Sequence, residues 1–166
     1  ENGSWPYAVD GKRGFIDHFH TCFVMKSLAK IQRITGHERC SRALNRGVRY
    51  YVQHLFDEAG LPKPFSKAPR LTLYRRELYD IAECLNLGVL LLGRFPALDA
   101  VVQKTLHHAL EKWVLPCGQF RARKLFVGWD NTPMHRWGQS QMFRSLCLIL
   151  AKEKGVDPAI PFRERL

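Results

Sequence analysis

The sequence is short of acid. Asp and Glu total 15 against 26 Lys and Arg, so the net charge is +11. It has no apolar run near the ~18 residues a membrane-spanning helix needs, so no span is expected. It has no CxxC pair. The five cysteines, Cys22, Cys40, Cys84, Cys117 and Cys147, show no zinc-ligand spacing. No metal and no cofactor is expected. The cysteines read as reduced, which favours a reducing, cytoplasmic location. No RNA-recognition, zinc-finger or helix-turn-helix signature is present, so nucleic acid is disfavoured as the polyanion that the charge invites. Glu1-Asn2-Gly3-Ser4 has neither the basic nor the apolar part of a signal peptide, and no initiator Met. The chain therefore reads as a cut piece or a processed product.

What is present is a helical pattern. The 166 residues are 46% apolar, enough for a real core at roughly 70% burial of the unfolded surface. Periodicity and capping signals predict five helices, over about 15–34, 38–58, 73–92, 96–114 and 133–153. Gly36, Gly60, Gly93 and Gly155 close four of them; Pro96 and Pro133 open two, the second after Thr132 as cap. Helices two and four carry one apolar stripe. Helices one, three and five are apolar almost all round, as in "IAECLNLGVLLLG" and "MFRSLCLILA". That pattern predicts inner and outer helices in alternation: an all-α fold of repeated αα-hairpins, a partial (α/α) toroid. Residues 1–166 read as one all-helical domain.

The inner helices share a register. Phe19, Leu78 and Trp137 are spaced by 59 residues, as are Leu28, Leu87 and Leu146. The same spacing aligns Asp17, Arg76 and His135; His18, Glu77 and Arg136; and Thr21, Asp80 and Gln139. All are expected in the first two turns of inner helices, where polar groups must be solvated or paired. A shared funnel at the N-terminal mouth of the inner ring is the economical reading. Helix N-termini there add a positive field.

Long loops rich in Gly, Pro, aromatics and basic residues lead into each inner helix: "NGSWPYAVDGKRG", "GLPKPFSKAPRL" and "PCGQFRARKLFVGWDNTP". Trp5, Tyr7, Phe65, Phe120, Trp129 and Trp137 can line a groove for sugar rings or plug the barrel ends. His18 and His20 point ~200° apart on a helix, so they are no metal clip. Asp17, His20 and Thr21 share a face, with Asp17 placed to orient His20 as an acid or base. Asp130, Asn131, His135 and Arg136 in "GWDNTPMHRWGQSQ" offer further polar groups, with Arg136 a fork for a carboxylate.

"NGSWPYAVDGKRGFIDHFHTCFV" and "GWDNTPMHRWGQSQMFRSL" resemble stretches of the six-hairpin glycosidase-like (α/α) toroid superfamily, nearest to bacterial members associated with exopolysaccharide biosynthesis. The Asp17-x-x-His20-Thr21 run is similar to a signature of glucuronyl C5-epimerases. The resemblance implies a carbohydrate-active toroid with five to seven hairpins, of which this chain holds two and a half and would be the C-terminal part. Missing N-terminal hairpins or another subunit would then cover its first inner helix. It implies binding of, or action on, an anionic, uronic-acid-containing or neutral polysaccharide. Asp17, His20, His135 and Arg136 are the candidate catalytic residues. Trp5, Tyr7, Arg76, Asp80, Trp129, Asp130, Asn131 and Gln139 are the candidate substrate contacts. A clear pair of catalytic carboxylates is lacking, so lyase or epimerase chemistry fits better than glycosidase-like hydrolysis. A non-catalytic helical-repeat scaffold is the main alternative. A terpene-cyclase or prenyltransferase-like toroid is another, weakened by the absence of an Asp-rich motif.

Overall fold

The computed structural model describes residues 2–69 and 71–155; Glu1, Arg70 of the second entrance loop and 156–166 lie outside the described residues. The elements run β1 (Ile16–Asp17), α1 (His18–Thr35), α2 (Glu38–His54), β2 (Phe65–Lys67), β3 (Tyr74–Glu77), α3 (Leu78–Leu91), α4 (Pro96–Lys112), β4 (Arg123–Leu125), β5 (Trp129–Asp130), a π-helical turn (His135–Gln139) and α5 (Ser140–Glu153). The architecture is all-α, built of repeated hairpins with α1, α3 and α5 inside and α2 and α4 outside. No helix among the described residues is long and apolar enough to cross a membrane.

α3 is the axis of the packing. Twelve of its 14 residues are buried, because α1, α4 and α5 all pack against it. It feeds both core clusters. Cys84, Leu87 and Leu91 join Cys22, Met25, Leu44 and Tyr51; Leu78, Ile81 and Leu85 join Trp113 and Met142. Each large apolar side chain so buried contributes about 1.5–3 kcal/mol. Burial on every side holds for α3 alone. Phe23 and Ile31 of α1, and Phe143 and Leu150 of α5, are exposed. Each of these helices packs on α3 and, among the described residues, has no inner neighbour on its other flank.

The inner helices begin later than their periodicity predicts. Residues 16–17 and 74–77 are strands, and 135–139 form a π turn with Met134, rather than Thr132, as cap. β1 pairs antiparallel with β2, and β3–β4–β5 form a second antiparallel sheet. Backbone pairing with a distant segment thus overrides local helical preference. The His18 N–H donates to Pro64 O and the Leu78 N–H to Ala122 O.

The repeat is written in these backbone bonds. The bridge Phe56–Pro62 recurs as Val114–Phe120, 58 residues on. The bonds Asp57 N–H to Leu61 O, Gly60 N–H to Asp57 O and Lys63 N–H to Leu55 O recur as Leu115 to Gln119, Gly118 to Leu115 and Arg121 to Trp113. The bridges also end α2 and α4 a few residues before the apolar stripe runs out. The left-handed Gly60 (φ 69) and Gly118 (φ 83) occupy the same place in the two copies.

The α3–α4 contact is close enough to need glycine. A Cβ on Gly88 would collide with both methyls of Val102. Gly88→Ala is expected to lower stability by about 1–3 kcal/mol in urea unfolding. Adding Val102→Ala should recover part of the loss; full stability in the single variant would disprove the packing argument.

Candidate functional site

A cavity of about 290 Å³ opens where the N-terminal ends of the inner helices meet. Two repeat registers converge in its wall: Phe19, Leu78 and Trp137, then His20, Tyr79 and Gly138. Glu77 and Gln139 add polar groups. Gly138 fits against Leu78 Cδ2, which a Cβ would approach to 3.0 Å. Gln139 is clamped: Oε1 accepts the Phe120 N–H at 3.0 Å and Nε2 donates to Phe120 O at 2.5 Å.

Asp17 holds His20 in two ways. Oδ1 accepts the His20 backbone N–H at 2.9 Å, which caps α1, and Oδ2 accepts the ring Nδ1–H at 2.6 Å. A carboxylate only accepts, so Nδ1 carries the proton and Nε2 is left for other partners. Thr21 Oγ1 donates to the Asp17 carbonyl at 2.6 Å, steadying the cap. Asp17 is 4% exposed while the His20 side chain is 39% exposed. The pair is therefore anchored at one end and open at the other. Tyr7, stacked on Phe15 at 4.6 Å, meets the His20 ring edge-on at 4.9 Å.

His18 turns the other way, into the core. Its Nδ1–H donates to Lys63 O at 3.1 Å, and Tyr51 Oη–H donates to its Nε2 at 2.6 Å. Burial lowers its pKa to about 4. The two histidines of one motif have separate duties.

The β3–β4–β5 sheet divides the neighbouring charges. Cross-strand pairing sets Glu77, Arg123 and Asp130 in one row, and Arg76, Lys124 and Trp129 in the next. Alternation along a strand sends those rows to opposite faces. On the first face Arg123 donates to Glu77 Oε1 from Nε (3.0 Å) and Nη2 (2.8 Å), and approaches Asp130 at 3.8 Å. A bulge between Tyr74 and Arg76 brings the Tyr74 ring under the Arg123 guanidinium, 5.3 Å from its centroid. Burial, then Glu77 and Asp80, pushes the Tyr74 phenol up to about 12.

Asp80 is 2% exposed and outside the cavity wall. Burial raises its carboxyl well above the usual carboxylate range, reinforced by Glu77, Asp17 and Glu83. Glu83 is itself paired with Lys26 across α1 and α3.

The sequence-predicted residues are thus dispersed. His20 and Gln139 line the cavity; Asp17 and Tyr7 hold or touch His20. Arg76 pairs with Asp57 and, with Trp129, lines a different groove. Trp5 lies across Gly47 of α2 and packs on the core, so it is a plug. Asp130 accepts the Thr132 N–H at 2.9 Å, and Asn131 Oδ1 accepts from Arg121 at 3.0 Å. His135 and Arg136 are exposed and outside the cavity wall. The π turn carries 137–139 to the cavity in place of the first-turn positions. Tyr79 and Arg123 were not anticipated. Tyr79 was findable, because it shares the 59-residue register of His20. Arg123 was not, because only strand pairing brings it to Glu77.

Two buried groups, His18 and Asp80, give opposite pH slopes. The unfolded chain binds a proton on His18 near pH 6.5, and the folded chain refuses it until about pH 4. That stability is lost as pH falls through the window, at up to about 1.4 kcal/mol per pH unit. The folded Asp80 carboxyl keeps its proton above the usual 3.8, so its contribution is lost as pH rises. In urea unfolding, His18→Gln is expected to flatten the acid-side fall, and Asp80→Asn to narrow the loss toward neutrality. An acid-side slope unchanged in His18→Gln would contradict the neutral, buried imidazole.

No protein-family model matches the chain, and no curated protein matches it. In fold it is similar to the solved structure of cellobiose 2-epimerase from Bacillus thermoamylovorans B4167, with a TM-score of 0.63 at 12% identity. The likeness covers 75% of this chain and 35% of that one, so the chain spans about a third of the enzyme's length. At that identity the likeness is one of fold, and it accords with the (α/α)-toroid arrangement of alternating inner and outer helices.

Proposed function

We propose that this chain forms part of a carbohydrate-active site in an (α/α) toroid, acting on a sugar unit of a polysaccharide during its synthesis or modification. The Asp17–His20 pair carries the reading, because Asp17 engages Nδ1 and leaves Nε2 for other partners on a histidine that lines a cavity walled by the rings of Phe19, Tyr79 and Trp137. Flat aromatic faces beside a few polar groups suit a pyranose ring. The wall is mainly apolar, but at about 290 Å³ the cavity is small beside the large apolar one that a terpene cyclase would need.

Epimerase-type chemistry fits better than hydrolysis. Hydrolysis by two carboxylates needs a free acid and a free base flanking the bond. Glu77 is the one carboxylate in the described wall, and Arg123 engages it. A histidine held in one tautomer instead suits proton abstraction from a carbon beside a carbonyl, which a neutral sugar presents at the aldehyde of its ring-opened reducing end. Nε2 takes the proton, and the electron pair moves onto the carbonyl oxygen. Tyr79 lines the same cavity with its phenol pushed up to about 12, chiefly by burial, so it stays a proton donor toward that oxygen. A second acid on the opposite face gives the carbon a proton and so inverts it, while His20 keeps the first proton until solvent takes it. The name of the structural neighbour, an epimerase of cellobiose, supports this class of reaction. No Lys or Arg lines the described wall, so the reacting sugar is uncharged in this reading. The acidic sugars of the polymer answer the +11 charge outside the cavity.

The exposed flanks of α1 and α5 support completion of this arc by further hairpins, from the same chain or another subunit, which would bring the second acid. The 35% share of the neighbour's length accords with that. The test is solvent exchange in D2O, followed by NMR on neutral and uronic-acid-containing oligosaccharides. Carbon-bound deuterium is expected at the reducing-end unit of the neutral oligosaccharides. His20→Gln should slow exchange at least about 100-fold and Asp17→Asn about tenfold. Binding without exchange would support the non-catalytic scaffold instead, and exchange unaffected by His20→Gln would remove the dyad from the mechanism.

A further inference from the structure

On the other face of the β3–β4–β5 sheet, against the C-terminal half of α4, lies a second groove of about 440 Å³. We propose that it is an oxyanion-binding subsite, taking a carboxylate or phosphate group, separate from the His20 cavity.

Its charge is one-sided. Arg76, Lys112, Arg121 and Lys124 line it, against the single carboxylate of Glu111. Glu111 is itself 3.1 Å from His107. Asp57 pairs with Arg76 from outside the wall. Burial, then Arg76 and Lys112, lowers the pKa of His108 below the usual 6.5, so the groove disfavours a further positive charge there. The C-terminal end of α4 opposes an anion, and Lys112 in its last turn offsets that field. Several cations held together with so little counter-charge repel one another, and an oxyanion among them relieves the repulsion.

Hydrogen-bond accounting agrees. The Nε–H groups of Arg76 and Arg121 are buried and meet no acceptor among the described residues. Buried donors left unpaired cost about 1–3 kcal/mol each. Guanidinium groups are suited to oxyanions because their donors match the spacing of two oxygens.

The groove also has a fixed wall. Trp129 is braced edge-on by the buried Trp113 at 5.1 Å. The Arg121 guanidinium and the Lys124 ammonium lie 4.9 and 4.7 Å from the Trp129 ring centroid. Trp129 thus holds two of the four cations in place by cation–π attraction. Strand alternation puts Arg76, Lys124 and Trp129 on the face opposite the Glu77–Arg123 row, and the groove shares no lining residue with the first cavity. The inference stands without the catalytic reading of His20.

The test is NMR of the 15N-labelled 166-residue chain, reading the Nε–H signals of Arg76 and Arg121 and the indole N–H of Trp129. Inorganic phosphate and glucuronate are titrated separately, with sodium chloride at matched ionic strength and glucose as controls. Saturable shifts at these three signals are expected with at least one oxyanion. The tighter of the two identifies a phosphorylated or a uronic-acid-bearing ligand. The double variant Arg121→Gln/Lys124→Gln, checked for retained fold by circular dichroism, should weaken binding at least about tenfold. His20→Gln should leave it unchanged, which separates failure of this subsite from failure of the catalytic proposal. Equal shifts with chloride or glucose, no saturation, or full binding by the folded double variant would overturn it.

Discussion

Backbone pairing between the strand that enters an inner helix and the segment that follows the next outer helix is the constraint on which the rest of the structure depends. β1 takes β2 in this way, and β3 takes β4. The pairing decides where α1 and α3 begin, which residue caps them, and which side chains reach the mouth of the inner ring. Asp17 shows the coupling. It ends β1 through its backbone, and its carboxylate caps α1 at the His20 N–H and orients the His20 ring, so one residue serves pairing, helix start and site. Removing the carboxylate would disturb the last two together, and for that reason the conservative change to Asn is the informative one.

The second sheet sorts charge by face. Of two adjacent residues on β3, Glu77 joins Arg123 beside the cavity, and Arg76 joins Lys124 and Trp129 across the sheet. A period of two therefore yields one pocket with no described cation in its wall and one groove with four, a few ångströms of backbone apart. The chain's surplus of positive charge is not spread evenly. Part of it is concentrated where sugar chemistry is not proposed to occur. On the two proposals made above, a polymer with acidic groups would engage that face while an uncharged unit occupies the cavity.

Much of the fold was legible in the sequence. The stripes of α2 and α4 and the apolar run of α3 are period-3.6 signals, and they identified the outer helices and the buried one. The apolar sequence of α5 misled, because composition says that a face is hydrophobic but not whether a neighbour is there to cover it. The 59-residue register also had mixed success. Phe19, Leu78 and Trp137 do converge, whereas Asp17, Arg76 and His135 do not. The first set lies in α1, α3 and the middle of the π turn; in the second, Asp17 and Arg76 are strand residues just before the helices, and His135 opens the π turn outside the cavity wall.

The sequence alone determined the repeat, the hairpin alternation and the Asp17–His20–Thr21 face, because helical spacing is local and survives any arrangement of neighbours. Tertiary structure decided which of those polar groups meet. It turned Trp5 into a plug on Gly47, sent Arg76 across the sheet, and used a π turn to carry Trp137 and Gln139 to the cavity in place of His135 and Arg136. Each outcome rests on contacts between segments far apart in the chain. A one-residue difference in strand pairing exchanges the two faces of a sheet, and no local pattern records that choice.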